Sequence, residues 1–406
     1  MHVVLLDWEK AFDKITHTSL IHTLERFSIP DKIIKIIKGF YKNPTFRVKL
    51  AGKTSELKRQ HSGIRQGCPL SPFLFLTVMT AIWNDINGKV ERNKIEHPRR
   101  YKRTAKAPPP SPFSEVLYAD DTIMVGHKPR EIQERLVLLE KEASKYGLKL
   151  NKTKCEHLGI NATANIMFKD STVVKTVSKA KYLGVILTNK AEPNVEANER
   201  IRQCTATWKQ MDKYWKLGKC SRRRKLQVRS AVIRSKLTYA MYTIQLNTSV
   251  LKRLDAFQAK GIRKILKWKT TYEDRTLTNK ALYEEANKIM IKDGERRPPQ
   301  IEPFMKISKY IARERIRYMG HLLRELDSEP TRKVTFVKGM TINIGWKQRV
   351  GRPRHNWIIC TLREIWKQYR TRLPFGRRHT GKKRKFNIKD NKVLAGLIYG
   401  AMQHDF

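Results

Sequence analysis

Hydrophobic and polar positions recur with two different periods along the first half of the chain, and the switches between them divide it into elements. Residues 3–7 (VVLLD) form a short apolar run ending on a carboxylate, the pattern of a buried strand. Residues 20–27 and 32–41 place apolar side chains at helical spacing, with Pro30 between them. The segment TFRVKL (45–50) alternates faces and predicts a strand, closed by a turn at Gly52-Lys53. Residues 69–86 predict an apolar helix whose first turn accommodates Pro72. EVLYADDTIMVG (115–126) reads as two apolar strands hinged on adjacent acids. A helix follows, opening near Pro129, with Ile132, Leu136, Leu139 and Tyr146 on one face and Gly147 as its stop. Strands are expected around 155–160 and 181–187. From 193 to 267 the pattern becomes long, basic and helical, and helical patches recur at 308–325 and 356–369.

Two features interrupt this pattern. Residues 89–114 are rich in Arg, Lys and Pro, including Pro108-Pro109-Pro110, and read as an exposed loop or insertion. Basic residues dominate throughout: 85 Lys and Arg against 37 acids give a formal net charge of +48. A compact fold with that excess repels itself, so a polyanionic partner is expected, and nucleic acid suits a charge spread along the whole chain. No run of eighteen apolar residues and no signal-peptide pattern appears, so the chain reads as soluble and intracellular, with no membrane partner. The five cysteines are scattered without a C-x-x-C pair, which excludes a recognisable zinc ribbon or knuckle.

The acids carry the candidate chemistry. Asp7 ends one apolar strand, and Asp120-Asp121 lie between two others. A buried pair of adjacent carboxylates is costly unless a cation neutralises it. With a third carboxylate from a neighbouring strand, they would form a site for two Mg²⁺ ions, with Mn²⁺ as a substitute.

The segments LLDWEKAFDKI (5–15), SGIRQGCPLSPFLF (62–75) and LYADDTIMVG (117–126) resemble, in order, three palm motifs of reverse transcriptases. GLKLNKTKC (147–155) and KYLGVIL (181–187) resemble the two that follow. The wording is most similar to non-LTR (LINE-type) retrotransposon enzymes. The resemblance implies RNA-directed DNA synthesis on an RNA template, extending a DNA primer with dNTPs. It also implies an α+β fold: a palm with a small antiparallel sheet and helices on one face over 1–190, a helical thumb over 191–270, and a basic, mostly helical C-terminal region over 271–406.

By the same resemblance Asp7, Asp120 and Asp121 are the catalytic, metal-binding triad, and Phe12 is the aromatic gate against a ribose 2′-hydroxyl. Gln66 and Gly67 pack under the incoming nucleotide. Arg65 either touches phosphate or template or is a surface arginine. Lys154 is the proton donor to pyrophosphate, with Lys152 close enough in register to compete for that assignment. Tyr118 lies where a primer terminus would sit, and Tyr182, Leu183 and Gly184 form the primer grip. Arg222, Arg223, Arg224 and Lys225 either track a template–primer duplex or make a solvated helix face. RYMGHLLRE (317–325) and VGRPRHNWI (350–358) resemble segments downstream of some non-LTR polymerases and imply nothing catalytic.

The chain opens almost on the first palm motif, so it reads as a truncated frame lacking the fingers. That keeps open a second function, a catalytically impaired nucleic-acid-binding remnant, and a third, a group II intron maturase. The cluster at 377–385 (RRHTGKKRK) suggests a nuclear location.

Overall fold

The strand β1 (His2–Leu6) is apolar on both faces because both faces are covered. The computed structural model describes residues 1–97, 113–190, 192–291, 303–337, 341–342 and 357–369. It divides into two units, Met1–Ala191 and Glu192–Phe406.

In the first unit β1 is followed by α1 (Ala11–Lys14), α2 (His17–Arg26) and α3 (Asp31–Phe40). Thr16 caps α2, its hydroxyl accepting from the Ser19 amide. Four two-residue strands come next: β2 (Thr45–Phe46), β3 (Lys49–Leu50), β4 (Lys53–Thr54) and β5 (Lys58–Arg59). The single strand expected over 45–50 is therefore broken. Its first part pairs with β5 and its second with β4, and neither half has a buried face to hold it straight.

The helix α4 (Ser71–Glu96) outruns its apolar pattern by ten residues, so the expected loop begins as helix. Polar partners supply what apolar spacing lacks: Lys89 pairs with the buried Glu142, and the Asn93 amide donates to Glu134 Oε1 at 2.6 Å. Residues 98–112, the rest of that stretch, lie outside the described residues, as does the 377–385 cluster.

The chain then forms β6 (Glu115–Tyr118), β7 (Asp121–Gly126), α5 (Pro129–Ser144), β8 (Glu156–Gly159) and β9 (Lys175–Thr176). The five strands form one sheet in the order β6-β7-β1-β8-β9, antiparallel except for the final pair. Side chains alternate across β1. Val4 and Leu6 join Met124 in the core beneath α2, α4 and α5, with Leu20, Phe75, Ile82 and Leu136. Val3 and Leu5 join Ile123 and Leu158 on the other face. That face is covered by a hairpin, β10 (Lys179–Tyr182) and β11 (Val185–Thr188), through Ala180, Tyr182 and Leu187. The strand expected over 181–187 is thus a hairpin, reversed at Leu183 and Gly184, both at positive φ.

The second unit is helical: α6 (Pro193–Gln210), α7 (Asp212–Leu217), α8 (Arg222–Arg229), α9 (Ser235–Thr238), α10 (Thr248–Leu266), α11 (Asn279–Met290), α12 (Ile307–Arg324), α13 (Pro330–Thr335) and α14 (Trp357–Tyr369). One short strand pair, β12 (Phe336–Val337) and β13 (Thr341–Ile342), precedes α14. Arg229 is fully buried, donating from Nη1 to Gln258 Oε1 at 2.5 Å and from Nη2 to the Gln258 carbonyl at 3.2 Å. Burial pulls its pKa down to about 10. Gly261 makes room for it, since a Cβ there would lie 2.6 Å from Arg229 Nε. No helix among the described residues is long and apolar enough to cross a membrane.

Candidate active site

Register brings the acids together. Leu6 pairs with Thr122 across β1 and β7, so Asp7 and Asp121 follow as neighbours on adjacent strands. Alternation puts both on the face of Val3, Leu5 and Ile123, under the β10–β11 hairpin. Asp120 sits in the two-residue turn between Tyr118 and Asp121, where Ala119 takes φ 53°.

The expectation of a buried adjacent pair is corrected here: Asp120 and Asp121 are exposed and Asp7 is half-buried. A two-residue hairpin turn ends the strand pairing at Asp121, so both acids emerge at the sheet's edge rather than within it. Their mutual field is still felt. Desolvation, then the charges of Asp120 and Asp7, raise the Asp121 pKa from its ordinary value. Burial, and then the charge of Asp121, raise the pKa of the Tyr182 phenol, whose buried hydroxyl has no hydrogen-bond partner among the described residues.

The Asp7 backbone is clamped from both sides. Its amide donates to Cys155 Sγ at 3.5 Å, and its carbonyl accepts from the Asn151 amide at 2.8 Å. On the helix-covered face, Trp8 Nε1 donates to Thr122 Oγ1 at 3.3 Å, fixing β1 against β7. Burial pushes the Cys155 thiol up to about 11, so it packs as a neutral group. Sequence reasoning missed Asn151, Cys155 and the Trp8–Thr122 pair. A buried threonine inside the apolar run of β7 was the available signal for the last.

Lys154 Nζ lies 3.6 Å from Asp7 Oδ2, whereas Lys152 turns away to Asp170 at 2.6 Å and Glu140 at 3.4 Å. Phe12 stacks on Phe75, ring centroids 4.6 Å apart. The 62–67 segment is pinned to α1: the Gly63 amide donates to the Ile15 carbonyl at 2.7 Å and the Ile64 amide to the Phe12 carbonyl at 2.6 Å. Gln66 Nε2 donates to Asp13 Oδ1 at 3.2 Å, a partner the sequence did not suggest. Arg65 reaches the Phe40 carbonyl at 3.0 Å. Gly67 has φ 83° and open space where a side chain would project. Tyr118 is 64% exposed beside the acids.

In the second unit the four-residue basic cluster is only partly outward. Arg222 and Arg224 are exposed, but Lys225 Nζ donates to the Trp215 carbonyl at 2.8 Å and Arg223 Nε is buried.

Asp7, Asp120 and Asp121 offer hard oxygen donors, the kind Mg²⁺ takes. Asp7 Oδ2 is buried and, among the described residues, accepts no hydrogen bond, its nearest cation being Lys154 Nζ at 3.6 Å. The donor set therefore fits a divalent ion. Among the described residues no three His, Cys, Asp or Glu side chains converge enough to hold a metal as they stand.

Residues 1–187 match the reverse transcriptase (RNA-dependent DNA polymerase) family. Over this stretch, a little under half of its length, the chain is similar to a reverse transcriptase domain. It is 24% identical over 211 residues to the Pol polyprotein of the R2 retrotransposable element of Nasonia vitripennis, covering 49% of this chain and 19% of that one. It is 23% identical over 287 residues to the RNA-directed DNA polymerase of the mobile element jockey of Drosophila melanogaster, covering 64% and 28%. Both relatives are proteins of retrotransposable or mobile elements, and the chain spans less than a third of their length. Among solved structures, telomerase from Candida albicans is similar over 76% of this chain and 49% of its own, at 14% identity and a TM-score of 0.32, too loose a likeness to add weight.

Proposed function

We propose that residues 1–190 are the palm of an RNA-directed DNA polymerase that extends a DNA primer with dNTPs on an RNA template, and that residues 191–270 serve as its thumb. The observation that carries this reading is the shared sheet face of Asp7 and Asp121, with Asp120 in the adjoining turn, inside the stretch that matches the family.

Asp7, Asp120 and Asp121 would hold two Mg²⁺ ions. When bound, such ions lower the pKa of the primer 3′-hydroxyl and stabilise the departing pyrophosphate. The chain's own residues do the rest. Lys154, held near Asp7, protonates the leaving pyrophosphate. Phe12, backed by Phe75, closes against a 2′-hydroxyl. Gln66, held by Asp13, and Gly67, with nothing projecting, let the nucleotide approach the backbone closely. Tyr118 and the Tyr182-Leu183-Gly184 hairpin hold the primer end, and Arg222 and Arg224 contact duplex phosphates.

The test is extension of a DNA primer on an RNA homopolymer with Mg²⁺ or Mn²⁺, comparing the chain with Asp120→Asn. A loss of about a hundredfold or more is expected, the scale of removing one charge-stabilising group. Equal incorporation by both proteins overturns the assignment of Asp120. One second reading, a binding remnant, rests on the net charge of +48. Salt-sensitive RNA binding without incorporation at high dNTP would select it.

A further inference from the structure

The helix α12 carries the RYMGHLLRE segment, to which the polymerase reading gives no task. One face of it is apolar and buried, through Ile307, Ile311, Met319, Leu322 and Leu323. The opposite face is a line of basic side chains. Lys306, Lys309, Arg313, Arg317, His321 and Arg324 recur at intervals of three or four, which stacks them along one side of a helix. All but Arg313 are exposed. The line runs about 27 Å at 1.5 Å per residue.

Two acids offset part of this charge, Glu314 beside Arg313 and Arg317 and Glu325 beside His321 at 3.2 Å, but the basic side chains still outnumber them. Lys309 and Arg313, and Arg313 and Arg317, are like-charged neighbours at i,i+4, a spacing that destabilises an isolated helix. The exposed positions of α11 show the ordinary arrangement, Lys280, Glu284 and Lys288, with Lys280 paired to Glu284 at 3.8 Å. On α12 the guanidinium groups are also held in place. Arg313 and Arg317 both reach Glu314, at 3.2 and 3.0 Å. Arg313 and Arg234 both lie over the Tyr310 ring, at 5.2 and 5.3 Å from its centroid.

We propose that this face of α12 is a second nucleic-acid surface, one that grips the sugar–phosphate backbone of a strand over about eight nucleotides' rise at 3.4 Å each. Regular spacing along a straight helix suits a periodic row of phosphates better than the irregular carboxylates of a protein partner. The contacts proposed are to phosphate, so the grip is expected to be independent of sequence.

The test is binding of the full chain to single-stranded RNA, single-stranded DNA and an RNA–DNA hybrid, without divalent metal or dNTP, across a salt series. Leaving out metal and dNTP keeps the result independent of the polymerase site. One variant combines Lys306→Gln, Lys309→Gln, Arg317→Gln and Arg324→Gln. A charge-matched control combines Lys252→Gln, Lys260→Gln, Lys280→Gln and Lys288→Gln, all exposed positions elsewhere in the same unit. Circular dichroism checks that both keep their helices. The stripe variant is expected to flatten the slope of log K against log salt by about 3, at 0.7–0.9 per lost phosphate contact. At physiological salt this corresponds to an affinity loss on the order of a hundredfold. The control is expected to change the slope by less than about 1. The strand losing most affinity tells RNA from DNA. An unchanged slope in the stripe variant, or an equal loss in the control, overturns the proposal. RNA should also shield Lys306 and Lys309 from acylation, and equal shielding by polyglutamate overturns it as well.

Discussion

Gly63 and Gly67 lie four residues apart in the segment that positions Arg65 and Gln66, and replacing each with alanine separates two physical effects. Both have positive φ, 95° and 83°. An L side chain in that region costs about 1–2 kcal/mol at either position. They differ in what a Cβ would meet. At Gly67 nothing lies within 4 Å. At Gly63 the new carbon would fall 2.7 Å from Asp13 Cα and 2.9 Å from its carbonyl oxygen. Those are backbone atoms of α1 that cannot rotate aside, and such overpacking adds about 1–3 kcal/mol. Gly63→Ala should therefore cost about 2–5 kcal/mol and Gly67→Ala about 1–2. Equilibrium urea unfolding of the two variants measures the difference. The close approach of 62–64 to α1 is refuted if Gly63→Ala loses no more stability than Gly67→Ala.

Phe12→Val should lower discrimination of dNTP over rNTP by about 10–200-fold, the worth of a small steric change in a pocket, read from competing incorporation; unchanged discrimination removes Phe12 as the gate. Lys154→Gln should lower kcat about a hundredfold while Lys152→Gln, engaged with Asp170 and Glu140, leaves kcat alone; the opposite result moves the proton donor. His2 and His157 are buried against each other, Nδ1 to Nε2 at 3.0 Å. Desolvation, then His157, the terminal amine and His127, lower the His2 pKa to about 4. The unfolded chain binds that proton first, so stability is full above about pH 6.5 and falls as the pH drops toward 4. Urea midpoints at pH 7 and pH 5 should differ in the wild type and converge in the double variant His2→Phe, His157→Phe; equal pH dependence in both excludes the pair as its source.

Elements built on apolar period were legible in the sequence. α5 and α12 each bury one periodic face and β1 buries both, and these three with α14 fall within a few residues of the expected bounds. What escaped was decided by polar contacts between distant segments. The extension of α4 past Ile86 buries one further apolar position, Val90, and otherwise rests on Glu134 and Glu142, more than forty positions downstream. The grouping of Asp7 with Asp120-Asp121 was legible from motif order. Their exposure was not, because it follows from a turn of two residues rather than from the apolar flanks. Lys152 and Lys154 could not be separated by register, since their difference lies in Asp170, Glu140 and Asp7, which only folding brings near.

The hairpin over β1 has an evolutionary consequence. With helices under one face of that strand and β10–β11 over the other, its side-chain parity is fixed for the full length, and Asp7 shares the parity of Val3 and Leu5. Deleting one codon within β1 would carry a carboxylate to the side of Leu6 and Met124, into packed hydrocarbon, while Val4 and Leu6 changed places with their neighbours. The reading frame would survive and the protein would not. Point substitutions among the apolar residues of β1 can accumulate as this lineage diverges, but its length cannot drift, so the distance from the strand's start to Asp7 should be the most slowly changing number in the chain.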